Sequence, residues 1–514
     1  MATAARVPER RPNFVFYMPD ELRADAVRCV DGLPVRTPHM DRLAAEGTVF
    51  TRAFTPHTVC SPSRCSLMTG WYPHTCGHRT LQHLIQPHEP NLLKYLKQAG
   101  YHVEWHGKND LLAVESFSES VSFRCALRQF PGPPKGEGLD HAGVPTGFRG
   151  NPARPQAARG GRGIPWPPDH RYYRTFYYGC RGEAPYQDAE SFHVDEALAF
   201  LEDRQRAPEA PFFLYLPFGF PHPPYTVEEP YFSLHDRAQV PVPLPARLAD
   251  KPHFMREMHH AYGIAGLTDD ERREIRATYW GMVSRTDAQL GRLLDFLDRS
   301  PLRENTVVIV TTDHGDYCGD YGLVEKWWTG FQDCLTRVPV IVRLPDGLGQ
   351  ARGRRVAALA QHFDLFPTIM ELAGLEPAHD HFGKSLLPLI RGEAESHRDA
   401  VFAEGGHLPH ETQGLERLQQ PDAIYYEKTR IQHDDPSTVA KACMIRTGRW
   451  KYVRRLAGVD ELYDLENDPA ELANLAAGPL AGEVREVRDS LRARLLDWFL
   501  ATGDVLSRAL DPRG

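Results

Sequence analysis

The sequence predicts an α/β fold: a large, mostly parallel central sheet flanked by helices, with a smaller C-terminal α+β domain. Short apolar runs rich in β-branched and aromatic residues recur at Asn13–Met18, Pro211–Leu216, Thr306–Val310 and Val338–Val342, the length and composition of buried strands. Amphipathic stretches of helical period lie between them, among them Asn91–Gln98 and Ser284–Asp298, and this alternation requires a sheet covered on both faces. Polar clusters follow the strands, where ligands bind in such sheets.

Taken in order, the N-terminus MATAARVPERRPNFVFYM has no apolar core long enough for a signal peptide, and its apolar run starts at Phe14. The first strand ends in Pro-Asp-Glu, delivering two carboxylates. The helix at Asn91–Gln98 is closed by Ala-Gly. The stretch Gln129–Pro168 is rich in Gly, Pro and Arg without periodicity; it reads as a surface excursion that forms a pocket wall, a lid or a plain solvated insertion. The strand at Pro211–Leu216 leads into PFGFPHPPY, and the strand at Thr306–Val310 into TTDHGD. After about Gly392 the pattern changes: MIRTGRWKYVRR and ELYDLENDPAELANLA suggest two short strands and a turn, and Glu483–Leu500 a final helix. The organisation expected is a main domain over 10–392 and a smaller one over 393–514.

The chain has 514 residues, 41% hydrophobic and 25% charged, as a soluble globular protein does. With 68 acidic against 60 basic residues and a net charge of −8, nothing points to nucleic acid; an anionic substrate would need a local cationic pocket. No segment approaches the length of a membrane-spanning helix. Nine cysteines, an odd number at irregular spacing, argue against a disulfide framework and for a reducing, cytoplasmic compartment.

Asp20 and Glu21 end one strand, and Asp313 and His314 end another. Hard oxygen ligands with one imidazole suit a divalent cation such as Ca²⁺, Mg²⁺ or Mn²⁺. His222 also stands just past a strand. A strand-end Asp is more often a turn former than a ligand, so these pairs gain weight only in company.

That company is the stretch VCSPSRCSLMTG at 59–70, which resembles the signature of the type I sulfatases, formylglycine-dependent members of the alkaline phosphatase-like superfamily that include relatives acting on phosphonate monoesters and choline sulfate. TPHMDRLAAEGTVFTRAF before it, and FDLFPTIMELAG, GKSLLPLIRG, GRWKYV and ELYDLENDP after it, are similar to further landmarks of that family. The resemblance implies an alkaline phosphatase-like fold and conversion of Cys60 to formylglycine by a formylglycine-generating enzyme. Its hydrate would carry one hydroxyl to attack sulfur or phosphorus and a second to release the product, a step a plain serine lacks. It further implies one divalent ion held by Asp20, Glu21, Cys60, Asp313 and His314, with Ca²⁺ favoured and Mn²⁺ the close alternative. Arg64 would orient the diol, Lys108 and Lys326 would neutralise the ester oxygens, and His222 would serve the leaving group. Cys65 and the pair Trp327-Trp328 read as packing residues.

One departure stands out. Where the family reads Gly-Lys-x-His, this chain reads Gly107-Lys108-Asn109-Asp110. Asp110 either pairs with Lys108, turns away or meets a cationic leaving group, and His106 is the nearest histidine to replace the missing one. The leading expectation is a sulfatase acting on a small organic sulfate ester. The alternatives are a phosphonate monoester or phosphodiester hydrolase with the same machinery, and a non-catalytic scaffold of the same fold. Neither nucleic acid nor membrane is expected as partner, and a homo-oligomer is compatible with the sequence.

Overall fold

The computed structural model describes residues 11–125, 138–139, 145–146, 164–184, 188–207 and 210–508. Most of the Gln129–Pro168 excursion lies outside the described residues. Among the described residues no helix is long and apolar enough to cross a membrane.

Strands are numbered in chain order. β1 (Asn13–Met18), β2 (Thr48–Phe54), β3 (His102–His106) and β4 (Phe123–Cys125) come first. The short β5 (Gly138–Leu139) and β6 (Pro145–Thr146) follow, then β7 (Tyr177–Glu183), β8 (Phe212–Pro217) and β9 (Tyr225–Glu229). β10 (Thr306–Val310), β11 (Arg337–Arg343), β12 (Arg354–Val356) and β13 (Ala360–Gln361) complete the main sheet.

That sheet has eleven strands in the order β12-β2-β11-β10-β1-β8-β3-β4-β6-β5, with β13 also on β2. β1 sits at its centre, parallel to β10 and to β8. Every residue of β1 is buried, and its pleat sends Val15 and Tyr17 to one apolar layer and Phe14, Phe16 and Met18 to the other. A fully buried Phe such as Phe16 contributes about 1.5–3 kcal/mol, so a strand apolar on both faces is stable only where helices cover both. β11, the run read from the sequence as Val338–Val342, is antiparallel to both neighbours. Apolar content marks burial and carries no sign for strand direction.

The helix expected at Asn91–Gln98 spans Leu92–Gln98, with the Asn91 side chain accepting from Lys94 N as its cap. The stretch Ser284–Asp298 is the second half of a 30-residue helix, Asp269–Asp298, opened by a capping box between Thr268 and Glu271. Beyond residue 392 the chain forms a second, four-stranded sheet: β14 (Val401–Gly405), β15 (Ala442–Arg446), β16 (Trp450–Arg455) and β17 (Glu461–Asp464). MIRTGRWKYVRR folds back on itself, Thr447 N donating to Trp450 O at 2.8 Å, and ELYDLENDPAELANLA adds β17, so the two stretches supply three strands where two are expected. The final helix runs Gly482–Thr502 and buries Leu491, Leu495 and Trp498 against Tyr452, Leu462 and Tyr72.

Candidate active site

The parallel strands β1, β3, β8 and β10 all end on one side, and the polar residues singled out in the sequence stand there. Asp20 and Glu21 follow β1, Lys108 follows β3, His222 follows β8, and Asp313 and His314 follow β10. Cys60 is the first residue of the helix Cys60–Thr69 and Arg64 lies one turn into it, every residue of that helix being buried. Two glycines permit the crowding. Gly107 adopts a φ of +138°, and a Cβ there would overlap the Pro217 carbonyl; a Cβ on Gly315 would overlap that of Cys334. Glu21 (φ 59°) and Glu325 (φ 62°) hold left-handed conformations without being glycine, local strain of the kind that concentrates at functional sites.

Asp20, Cys60, Asp313 and His314 form one group, their ligand atoms all within 4.8 Å of one another. Cys60 Sγ lies 3.5 Å from Asp20 Oδ1, 3.3 Å from His314 Nε2 and 3.8 Å from Lys108 Nζ. His314 Nδ1 donates to Gly315 O at 2.9 Å, so in the neutral ring Nε2 is the lone-pair nitrogen facing the group. Arg64 Nε donates to Asp313 Oδ2 at 2.9 Å, and its Nη2 stands 3.3 Å from Asp20 Oδ2. Burial pushes the Asp20 carboxyl up, but Lys108 and Arg64 outweigh it and hold Asp20 well below the usual carboxylate range. Burial, with the Asp20 charge, pushes the Cys60 thiol well above its ordinary value.

A second group adjoins the first: Glu21, His222 and Glu325. Lys326 joins it, ion-paired with Glu21 and 2.9 Å from Glu325 Oε1, and its Nζ donates to His222 Nε2 at 3.1 Å. The other ring nitrogen of His222 donates to Pro223 O at 2.6 Å. Burial and Lys326 together hold His222 well below its usual value. Burial opposes the charge on Lys326, yet Cys60, Glu21 and Glu325 raise its pKa well above normal.

Two carboxylates and one imidazole nitrogen, buried and convergent, fit a divalent cation of the calcium or manganese kind. Asp20, Asp313 and His314 stand in that geometry. Glu21, expected among the ligands, groups with His222 and Glu325 instead, although its backbone N donates to Asp313 Oδ1 at 3.2 Å and its Oε2 is buried without a hydrogen-bond partner.

Lys108 is bound by two acids, Asp20 and Asp110, the latter at 2.7 Å. Of the three readings of Asp110, pairing with Lys108 is the one found. His106, the nearest histidine to replace the missing one, points elsewhere: it is fully buried and its Nε2 donates to Glu104 Oε1 at 2.9 Å. Cys65, Trp327 and Trp328 are buried packing residues. Sequence reasoning missed Glu325 and Lys428. Lys428 Nζ lies 3.1 Å from Glu325, and with Lys326 it overrides burial and draws that carboxyl down to about 2. Lys428 lies a hundred residues downstream, in no recognisable motif, and only folding brings it here.

The sulfatase family model matches residues 12–375. Among characterised relatives, the chain is 27% identical to the multifunctional alkaline phosphatase superfamily protein PehA of Trinickia caryophylli, over 96% of each chain. It is 25% identical to the choline-sulfatase of Rhizobium meliloti, over 91% of this chain and 83% of that one. The crystal structure of the phosphonate monoester hydrolase of Agrobacterium radiobacter shares the fold, with a TM-score of 0.72 at 24% identity, covering 98% of this chain and 100% of that one.

Proposed function

The chain belongs to the sulfatase family, hydrolases of sulfate and phosphonate esters, and from that premise we propose that it hydrolyses the sulfate ester of a small organic substrate through an oxidised Cys60 and one divalent cation. The observation that carries this reading is the setting of Cys60: buried at a helix N-terminus, 3.3 Å from His314 Nε2 and 3.5 Å from Asp20. Membership of a hydrolase family sets aside the non-catalytic scaffold.

In its formylglycine form Cys60 would supply a hydroxyl nucleophile and a second hydroxyl for product release, and a bound Ca²⁺ or Mn²⁺ would supply the charge that favours ionisation of the first. Asp20, Asp313 and His314 would hold the cation, with Glu21 within reach. Arg64, locked between Asp20 and Asp313, fixes both carboxylates in place. Lys108, its Nζ 3.8 Å from Cys60 Sγ, and Lys326 present ammonium groups that oppose the negative charge of the ester oxygens. His222 rests neutral, its Nε2 accepting from Lys326. An arriving anion raises its affinity for a proton, and His222 with the charged Lys326 beside it can hydrogen-bond the leaving oxygen.

A second reading, the same residues acting on phosphonate monoesters or phosphodiesters, is favoured by the 27% identity to a multifunctional relative. Matched aryl sulfate, phenyl phosphonate and bis-aryl phosphate substrates separate the two: the sulfate is expected to turn over best, and a sulfate poorest by a wide margin installs the second reading. Peptide mass spectrometry of Ala53–Arg64 is expected to find an aldehyde in place of the Cys60 thiol. Fully active protein with an unmodified thiol would overturn the mechanism.

A further inference from the structure

The strand β3 reads HVEWH, and its pleat divides it. Val103 and Trp105 enter an apolar layer, while His102, Glu104 and His106 line the opposite face, Glu104 and His106 being fully buried. A buried polar strand face is costly unless its groups are matched. Glu104 matches two: its Oε2 accepts from His102 Nε2 at 2.8 Å and its Oε1 from His106 Nε2 at 2.9 Å.

His106 Nδ1 is left over, buried and without a hydrogen-bond partner, and His193 Nδ1 is in the same condition. His193 comes from the buried face of the helix Ala189–Arg206. β3 and β4 run parallel with His106 opposite Cys125, so those two side chains emerge on one face. His106, Cys125 and His193 are all buried, and their ligand atoms lie within 4.8 Å of one another.

We propose that His106, Cys125 and His193 form a second metal site, distinct from the one beside Cys60, that takes a zinc-type divalent cation through two imidazoles and a thiolate. The donor set contains sulfur and nitrogen and no oxygen, which selects zinc-like ions over calcium or magnesium. The carboxylate behind His106 completes a carboxylate–histidine–metal arrangement that fixes the tautomer with its lone pair on Nδ1. Three protein donors leave one tetrahedral position for a small ligand such as water. On binding, the Cys125 thiol gives its proton to solvent and the sulfur lone pair to the metal. A bound ion would hold the end of β3 to β4 and to the helix Ala189–Arg206, and β3 passes directly into Gly107 and Lys108, whose N donates to Pro217 O at 2.8 Å.

The test is spectroscopic and uses the full chain with Cys60→Ser, so that Cys60 contributes no sulfur. Metal-stripped protein titrated with Co²⁺ is expected to develop a thiolate-to-cobalt charge-transfer band. Zinc-edge X-ray absorption of the zinc-loaded protein is expected to show a sulfur neighbour at about 2.3 Å. Adding Cys125→Ser or His193→Gln should abolish the band and remove one zinc equivalent, with the far-UV circular dichroism retained. A zinc shell of oxygen and nitrogen alone in the Cys60→Ser protein, or a cobalt band that survives Cys125→Ser, overturns the proposal; the absorption measurement decides even if the added variants fail to fold.

Discussion

The Lys108 ammonium lies 2.7 Å from Asp110 Oδ2 while also ion-paired with Asp20. Burial opposes its charge, but the two acids, Asp110 foremost, raise its pKa well above normal. Asp110 therefore keeps Lys108 charged and at the same time competes with any anion for it. Removing one acidic charge at this partly exposed pair is worth about 1 kcal/mol, so Asp110→Asn should lower KM for an aryl sulfate about fivefold. Steady-state kinetics check this, and an unchanged or higher KM would show that Asp110 meets the substrate rather than Lys108.

Cys60→Ser keeps a hydroxyl beside His314 and Asp20 but offers only one. The variant should accept the transferred group once and stall, with no turnover after the first. Mass spectrometry of Ala53–Arg64 after substrate is added should find the peptide carrying that group. Sustained turnover would remove the second hydroxyl from the mechanism.

Arg64 is fully buried between Asp313 and Asp20. Arg64→Ala leaves two buried carboxylates facing each other with less counter-charge, a change that costs about 3–5 kcal/mol. Urea unfolding of metal-stripped protein is the measurement. Added Ca²⁺ or Mn²⁺ should recover part of the loss, since a cation between Asp20 and Asp313 does the same electrostatic work.

Asp287 predicts a pH dependence of stability remote from the site. It is buried on the long helix and accepts from Met40 N at 2.8 Å and His39 N at 3.1 Å; burial outweighs these bonds and raises it from 3.8 to about 7. A folded-state pKa above the unfolded value means that the native state binds the extra proton. This contribution is whole below the unfolded value and is lost as pH rises through about 7. Asp287→Asn should flatten the decline in unfolding free energy between those limits, and an unaltered slope would assign it to other groups.

Much of this architecture was legible in the chain. The runs NFVFYM and TVVIV are strands because they are apolar on both pleat faces, and the polar residues after them stand at the site because parallel strands share one carboxyl end. Direction was not legible: nothing in RVPVIVR distinguishes the antiparallel β11 from its parallel neighbours. The number of C-terminal strands was not either, because a tight turn at Thr447–Trp450 occupies few residues and breaks the apolar pattern only briefly.

The sequence by itself determined the family, the strands NFVFYM and TVVIV and the set of charged residues gathered at the strand ends, since these are local in the chain or carried by a motif. Only the tertiary structure decided how those charges are paired: Asp110 on Lys108, Glu21 on Lys326 rather than beside Asp20, and Lys428 on Glu325 across 103 residues. Spacing along a strand or helix says which face a residue takes, but the partner of a buried charge is set by distance in space and by the burial that makes each unpaired charge costly.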